Sequence, residues 1–315
     1  MNITFLDARA IGNDVSLDIL REVGNLTVEE KTGQDEVAHK LGDTEVLIVN
    51  KLKLNEESLK NAEKLKLICV TATGYDNIDI DYCRKKHIGV CNVVGYSSRS
   101  VAEVTAAMVL YLSTHLGEYR SYVGSGAYSK SGTANKLTPV FHELYKKTWG
   151  IIGYGNIGRE VGAVASALGC SILTYRKTKT PGCVTLDELL KKSDIISIHT
   201  PLTDETRGLI GERELSLMKK DVILVNTSRG AVTDEAAVAA AVKNKSIGAF
   251  GTDVYSAEPF LESDPLYAIK DLPNVCLTPH MAWGAFEART RCIDEIAENI
   301  RDFYGGGKRN RVDLI

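Results

Sequence analysis

The run Gly153-Tyr154-Gly155-Asn156-Ile157-Gly158 constrains the folding of this chain more than any other stretch. It follows an apolar segment, Trp149-Gly150-Ile151-Ile152, and precedes residues 159–168, whose apolar spacing suits a helix. Between a strand and a helix, glycines at this spacing allow a tight turn, a close backbone approach and helix-on-strand packing. The N–H groups at the helix start then face outward, where an anion is held. Gly153, Gly155 and Gly158 are therefore read as a turn for a dinucleotide pyrophosphate.

The rest of the chain is patterned to match. Apolar runs at 3–6, 46–49, 67–70 and 90–92 precede a second series at 149–152, 171–174, 195–199, 222–226, 247–252 and 275–277. Helix-like spacing separates most of them, near 17–23, 56–65, 159–168, 186–192 and 234–243. Continuous apolar strands alternating with helices predict parallel sheets covered on both faces. The expected fold is α/β, with two doubly wound parallel-sheet domains. A Rossmann nucleotide-binding domain, residues 98–285, is inserted into a flavodoxin-like substrate domain built from 1–97 and 286–315. A helical stretch at 101–115 leads into a segment rich in Gly, Ser and Tyr at 119–138. That segment is too long for an ordinary connection and reads as an arm or a loop with a partner. The helical pattern at 286–304 could return to the first domain, and Gly305-Gly306-Gly307 reads as a flexible terminal break.

A length of 315 residues suffices for two such cores. The net charge of −3 argues against a nucleic-acid-binding surface, which needs a basic excess. The cluster Lys308, Arg309 and Arg311 reads as a solvated tail. The opening residues carry no basic start and no long apolar run, and no segment is long enough to span a bilayer. Seven cysteines without a CxxC pair suit a reduced, cytoplasmic chain and offer neither a disulfide framework nor a metal site.

Three later strand ends carry the chemistry. Asn226-Thr227-Ser228-Arg229-Gly230 presents a fixed cation, Asp253-Val254-Tyr255-Ser256-Ala257-Glu258-Pro259 a carboxylate, and Thr278-Pro279-His280 a titratable imidazole. Carbonyl reduction needs all three kinds of group. Each alone would be an ordinary surface or core residue, but strand ends are where α/β folds bind ligands. After the strand at 171–175, where an NAD-selective site has Asp or Glu, the chain has Arg176, Lys177, Thr178 and Lys179. A guanidinium pairs with a 2′-phosphate that a carboxylate would repel. NADP(H) is therefore favoured, with NAD(H) the alternative.

With these pieces, and with Ile198-His199-Thr200-Pro201-Leu202-Thr203 and the run from Val93 to Glu103, the chain resembles the D-isomer-specific 2-hydroxyacid dehydrogenases over nearly its whole length. Pro279-His280-Met281-Ala282-Trp283 and the run from Thr71 to Asn77 look most like members that act as glycerate dehydrogenase or hydroxypyruvate reductase. The resemblance implies reversible reduction of a small 2-oxo acid in a cleft between the domains. It implies that Arg229 clamps the substrate, that His280 exchanges the proton and that Glu258 fixes the imidazole. It places the substrate carboxylate at the backbone of Ala72, Thr73 and Gly74. It gives cofactor contacts to Asn156, Ile157, Thr200, Pro201, Thr206, Thr227, Ser228 and Asp253, with Thr105 a weaker candidate. Trp283 either walls the substrate pocket or packs between domains. His199 reads as a structural strand-end residue, while His39, His87, His115 and His142 have no evident partner. A homodimer is also implied. D-lactate or D-phosphoglycerate oxidation, and a dinucleotide-sensing corepressor on the same fold, are the competing readings.

Overall fold

The computed structural model describes residues 1–178 and 180–315, so Lys179 lies outside the described residues. The chain divides into two compact units, Met1–Ser97 with Gly284–Ile315, and Ser98–Trp283. The second unit ends two residues before the boundary expected from the sequence.

The first unit is a five-stranded parallel sheet. Its strands are β1 (Asn2–Phe5), β2 (Asn25–Val28), β3 (Val46–Val49), β4 (Leu67–Val70) and β5 (Gly89–Cys91), in the order β2-β1-β3-β4-β5. This is the 2-1-3-4-5 order of flavodoxin-like sheets. β3 and β4 are buried at every position, so they read as unbroken apolar runs. β2, with sequence NLTV, alternates exposed and half-buried at the sheet edge, and its short polar pattern gave no strand signal. The unit also carries α1 (Asp18–Val23) and α2 (Ile80–Lys85), the latter capped by the Asp79 carboxylate, which accepts from the Tyr82 N–H at 2.9 Å. The expected helix at 56–65 is instead a run of turns. Asn55 and Ser58 exchange side-chain and backbone hydrogen bonds at its start, and the bonds that follow, Ala62 to Leu59 and Leu65 to Ala62, span three residues rather than four.

The C-terminal helix, Phe286–Tyr304, belongs to this unit and lies against α1 and β4. The three glycines after it do not lead to a loose tail. Gly306 turns at φ 83°, the Gly307 N–H donates to Asp302 O, and Arg311 bridges antiparallel to Cys91. Both arginines of the basic cluster are paired: Arg309 with Glu295, and Arg311 with Asp313 at 2.5 Å. Charge alone could not show these partners, because the acidic residues lie on the helix and beyond the turn.

The second unit opens with α3 (Ser98–Ser113), α4 (Leu116–Gly124) and α5 (Ala127–Lys130). The last two fall in the region read as an arm. The six-stranded parallel sheet follows: β6 (Thr148–Ile152), β7 (Ser171–Tyr175), β8 (Ile195–Ile198), β9 (Ile223–Asn226), β10 (Ala249–Thr252) and β11 (Val275–Leu277), in the order β11-β10-β9-β8-β6-β7. Between them run α6 (Asn156–Ala167), α7 (Leu186–Lys192), α8 (Glu212–Leu217) and α9 (Glu235–Lys243). Strand order reverses at β6, whose neighbours are β7 and β8, so a crevice opens at the carboxyl ends of these strands. The core is built from Ile196, Ile198, Leu224, Val238 and Phe250 among others, each essentially without solvent exposure. Burial of such side chains is worth roughly 1.5–3 kcal/mol each. Trp149 is fully buried on β6, and its indole N–H donates to Ser197 Oγ at 2.9 Å on the adjacent β8.

Candidate active site

The glycine turn sits between β6 and α6. Gly153 adopts φ 93°, and a Cβ there would stand 2.6 Å from the His199 carbonyl carbon. A Cβ on Gly158 would stand 2.2 Å from Gly153 O. Gly153 therefore requires glycine for conformation and for space, and Gly158 for space alone. Gly155 differs. A Cβ there would meet nothing within 4 Å, because the turn faces open space on that side. Gly155 is the N-cap of α6 and no side chain caps that end. The helix start at Asn156 and Ile157 thus presents backbone N–H groups and the positive end of the helix dipole to an open cradle. A pyrophosphate fits these features.

Beyond β7, Arg176 and Lys177 are exposed. Lys177 pairs with Glu205. Arg176 has no hydrogen-bond or ion-pair partner among the described residues.

The three strand-end motifs are linked by hydrogen bonds and one close backbone contact. Glu258 Oε2 lies 2.6 Å from His280 Nδ1, with both side chains about three-quarters buried, and Glu258 Oε1 accepts from the Tyr255 N–H at 3.2 Å. A carboxylate can only accept from a neutral ring, so the proton sits on Nδ1. That leaves Nε2, across the ring, as the nitrogen that gains and loses a proton.

His280 holds φ 53°, a left-handed conformation that a non-glycine residue adopts at a cost of about 1 kcal/mol or more. The surrounding bonds impose it. Asp253, 1% exposed, accepts through Oδ1 from the Thr278 hydroxyl (2.6 Å) and the Met281 N–H (2.8 Å), and through Oδ2 from the Ala282 N–H (2.8 Å). The Trp283 indole donates to His280 O at 3.1 Å, and the Tyr255 hydroxyl donates to Thr278 O at 2.8 Å. Burial pushes the Tyr255 phenol pKa up, so it remains a donor throughout the working range. Asp253, expected at the cofactor, has both carboxylate oxygens committed to the His280 loop.

Arg229 follows β9. Asn226 organises its turn: the Ser228 N–H and hydroxyl donate to Asn226 Oδ1 at 3.0 and 2.8 Å, and Asn226 Nδ2 donates to Arg229 O at 2.9 Å. One guanidinium N–H donates to Ser228 O at 2.9 Å. The next residue, Gly230, comes so close to the Tyr255–Ser256 backbone that a Cβ would stand 2.0 Å from Tyr255 C. The Arg229 turn is thereby fitted against the segment that carries Glu258. Glu235, at the start of α9, braces the same segment by accepting from the Ser256 N–H at 2.7 Å.

Several residues expected to contact cofactor spend their side chains inside the protein. The Thr206 hydroxyl closes its own loop on Pro201 O at 2.7 Å. Thr105 is fully buried, with its hydroxyl on Val101 O and against Thr227 Oγ1. Thr200 and Pro201 lie at the open carboxyl end of β8. In the first unit, residues 72–74 follow β4. Ala72 O accepts from the Val93 N–H and the Thr73 hydroxyl donates to Val93 O, while among the described residues the N–H groups of Thr73 and Gly74 donate to nothing. His115, left without a partner by the sequence, lies 2.9 Å from Glu118. The sequence did not single out Glu235, and it gave no organising role to Asn226, Gly230 and Thr278, although all three stand inside the quoted motifs. For Gly230 the signal was present as the glycine after Arg229.

A turn fitted to pyrophosphate and a braced imidazole–carboxylate pair, both at carboxyl ends of one parallel sheet, suit a dinucleotide-binding oxidoreductase domain, and comparison with known proteins makes the reading specific. The model of the D-isomer specific 2-hydroxyacid dehydrogenase NAD-binding domain matches residues 106–282. The chain is 34% identical to a glycerate dehydrogenase of Methylorubrum extorquens over 89% of this chain and 88% of that one. It is 32% identical to a hydroxypyruvate reductase of Blautia hydrogenotrophica over 99% and 100%. Among solved structures, a D-lactate dehydrogenase of Aquifex aeolicus complexed with NAD and lactic acid superposes with TM-score 0.85 at 32% identity, covering 97% and 96%. The chain belongs to the D-isomer specific 2-hydroxyacid dehydrogenase family. Among the described residues no group of His, Cys, Asp and Glu is placed to hold a metal, and no helix is long and apolar enough to cross a membrane.

Proposed function

We propose that this chain reversibly reduces a small 2-oxo acid to the D-2-hydroxy acid, with hydroxypyruvate or glyoxylate as first substrate. The observation that carries the reading is the His280–Glu258 pair at 2.6 Å, with the His280 backbone in a left-handed conformation. His280 Nε2 delivers the proton to the substrate carbonyl oxygen and recovers it in the oxidative direction. Glu258 holds the tautomer and stabilises the imidazolium that forms when Nε2 is protonated. Arg229 orients the substrate and polarises its carbonyl with a permanent charge. The N–H groups of Thr73 and Gly74 donate to the substrate carboxylate. Trp283, tied to His280 O, shapes the substrate pocket.

The dinucleotide is held at Gly153, Gly155 and Gly158 and at the start of α6, and at Thr200 and Pro201. When bound it supplies or accepts the hydride. NADP(H) is the preferred form, because Arg176 stands after β7 where a carboxylate would select NAD(H). The relatives named glycerate dehydrogenase and hydroxypyruvate reductase support the substrate class. A cytoplasmic homodimer completes the reading. The exposed apolar side chains Leu116, Val123, Leu137, Val140 and Phe141 gather in and beside the arm and support a contact with a second copy.

The test is steady-state reduction of hydroxypyruvate, glyoxylate and pyruvate with NADH and with NADPH. The highest kcat/KM is expected for one of the first two with NADPH. A preference for pyruvate would assign a lactate-type substrate instead. No turnover with any pair, despite coenzyme binding, would favour a dinucleotide sensor.

A further inference from the structure

His199 sits immediately after β8, beside the glycine turn, and its role follows from counting protons. Val101 O, Thr105 Oγ1, Thr227 Oγ1 and His199 Nδ1 form a row with separations of 2.7, 3.0 and 3.3 Å. Three contacts need three protons. The Val101 carbonyl has none and the two hydroxyls supply one each, so the third must come from the imidazole. Thr105 donates to Val101 O, Thr227 donates to Thr105, and His199 Nδ1–H donates to Thr227. With the proton on Nε2 instead, one contact in the row would hold two lone pairs face to face. Nε2 would also become a buried donor.

Nε2 is sealed from solvent and meets no hydrogen-bond partner among the described residues. Burial lowers the ring pKa to about 3, so the row keeps its donor pattern and stays uncharged at any working pH. The row ties three elements together: α3 through Val101 and Thr105, the end of β9 through Thr227, and the end of β8 through His199. Thr227 lies two residues before Arg229, and α3 also reaches the His280 loop, where the Ser100 hydroxyl donates to Ala282 O at 2.5 Å.

We infer that His199 is a positioning residue, locked as the Nδ1–H tautomer, that closes a hydrogen-bonded row holding the Arg229-bearing strand end to α3. The effect on turnover rests on the proposed substrate clamp at Arg229; the tautomer does not. The expected signature is a split in kinetics. His199→Gln, whose amide reaches the Nε2 end of the ring position, should raise KM for the 2-oxo acid about tenfold, the loss expected when a buried hydroxyl loses its partner, with a smaller change in kcat. His199→Asn, whose amide falls near Nδ1, should recover most of that loss. The double variant His199→Gln, Thr227→Val should be no worse than the poorer single one, because both break one row.

The deciding experiment is nitrogen NMR of the full chain labelled with 15N-histidine, with His199→Asn used to assign the signal. The expected result is a protonated Nδ1 and an unprotonated Nε2 from pH 5 to pH 8, a window well above the ring's pKa of about 3. A ring protonated at Nε2 would overturn the inference whatever the kinetics show. The Nδ1–H tautomer with additive or absent kinetic effects would overturn the positioning role while leaving the proton count standing. If no 2-oxo acid is turned over at all, the substrate reading fails and the tautomer result is untouched.

Discussion

Gly230→Ala is the smallest change that should disable this site without touching a reacting group. Gly230 is not in the left-handed region, so alanine carries no backbone strain there and the obstacle is space alone. The new methyl would stand 2.0 Å from Tyr255 C, 2.3 Å from Ser256 N and 2.5 Å from Tyr255 Cα. Ordinary contact begins near 3.4 Å, so the two segments must separate by about 1.4 Å. The obstructing atoms are backbone and cannot rotate away as a side-chain tip would. Overpacking of this kind costs about 1–3 kcal/mol, and rigid neighbours put this case at the upper end. The displaced segment carries Glu258, whose Oε1 is bonded to the Tyr255 N–H and whose Oε2 fixes His280. A shift of about 1 Å in such a constellation lowers turnover on the order of a hundredfold. The assay is kcat for the best 2-oxo acid, followed by coenzyme absorbance well below the melting temperature of the variant, together with thermal melting and coenzyme titration. The expected result is a kcat near one-hundredth of the parent, a lower melting temperature and coenzyme affinity within about threefold. Parent-like melting would refute the close approach. A lower melting temperature with parent-like kcat would refute its coupling to Glu258.

The other predictions concern single charges and protons. His280→Ala should remove turnover while coenzyme titration stays near the parent value; unchanged turnover would sink the proton-transfer role. Arg176→Asp should raise the ratio of NADH to NADPH efficiency, and a ratio that does not move would show that the 2′-phosphate is read elsewhere. His199 should also leave an acid signature in stability. Its folded pKa is depressed to about 3 from 6.5, so the unfolded chain binds the extra proton between those values. That contribution is fully present above pH 6.5 and is lost as pH falls toward 3, with a slope of up to about 1.4 kcal/mol per pH unit. Urea unfolding at pH 6.5, 5.5 and 4.5 should therefore show a shallower decline for His199→Asn than for the parent, and parallel declines would contradict the sealed neutral ring.

The sheets were legible in the sequence because their central strands are buried on both faces and spelled as continuous apolar runs, as at 46–49 and 67–70. The edge strand β2 escaped because NLTV is half exposed. The turns at 56–65 escaped because their amphipathic spacing matched a helix, while Asn55 and Ser58 offered the backbone a competing set of bonds. The C-terminal pairing could not be seen at all. It depends on Asp302, Glu295 and Asp313 coming round to Arg309 and Arg311 once the glycine turn reverses the chain. In the site, the paired carboxylate and imidazole were visible as residue types. Their fixing was not, because it rests on a backbone approach at Gly230 and on carbonyl and amide partners that no side-chain pattern encodes.

The same physics explains why the strand-end polar residues divide into two groups. Thr227, Ser228 and Asp253 follow the carboxyl ends of strands, Thr206 lies in the loop after β8 and Thr105 lies within α3, and each has its side chain engaged within the protein. A polar group at the mouth of a buried sheet loses water on folding, so it costs about 1–3 kcal/mol unless the fold supplies a partner. Motif residues at these positions therefore bond first to one another, and that network stiffens the turns. Less engaged among the described residues are the uncapped start of α6 and the exposed Arg176, while His280 has only its Nδ1 bound to Glu258. Hydroxyls and carboxylates that look like ligand contacts in the sequence thus also brace the frame. On the proposed reading, the groups that meet coenzyme and substrate through this unit are mostly backbone N–H groups and permanent or proton-exchanging cations. A site organised this way pays little reorganisation when charge develops on a carbonyl oxygen, which is the property that carbonyl reduction requires.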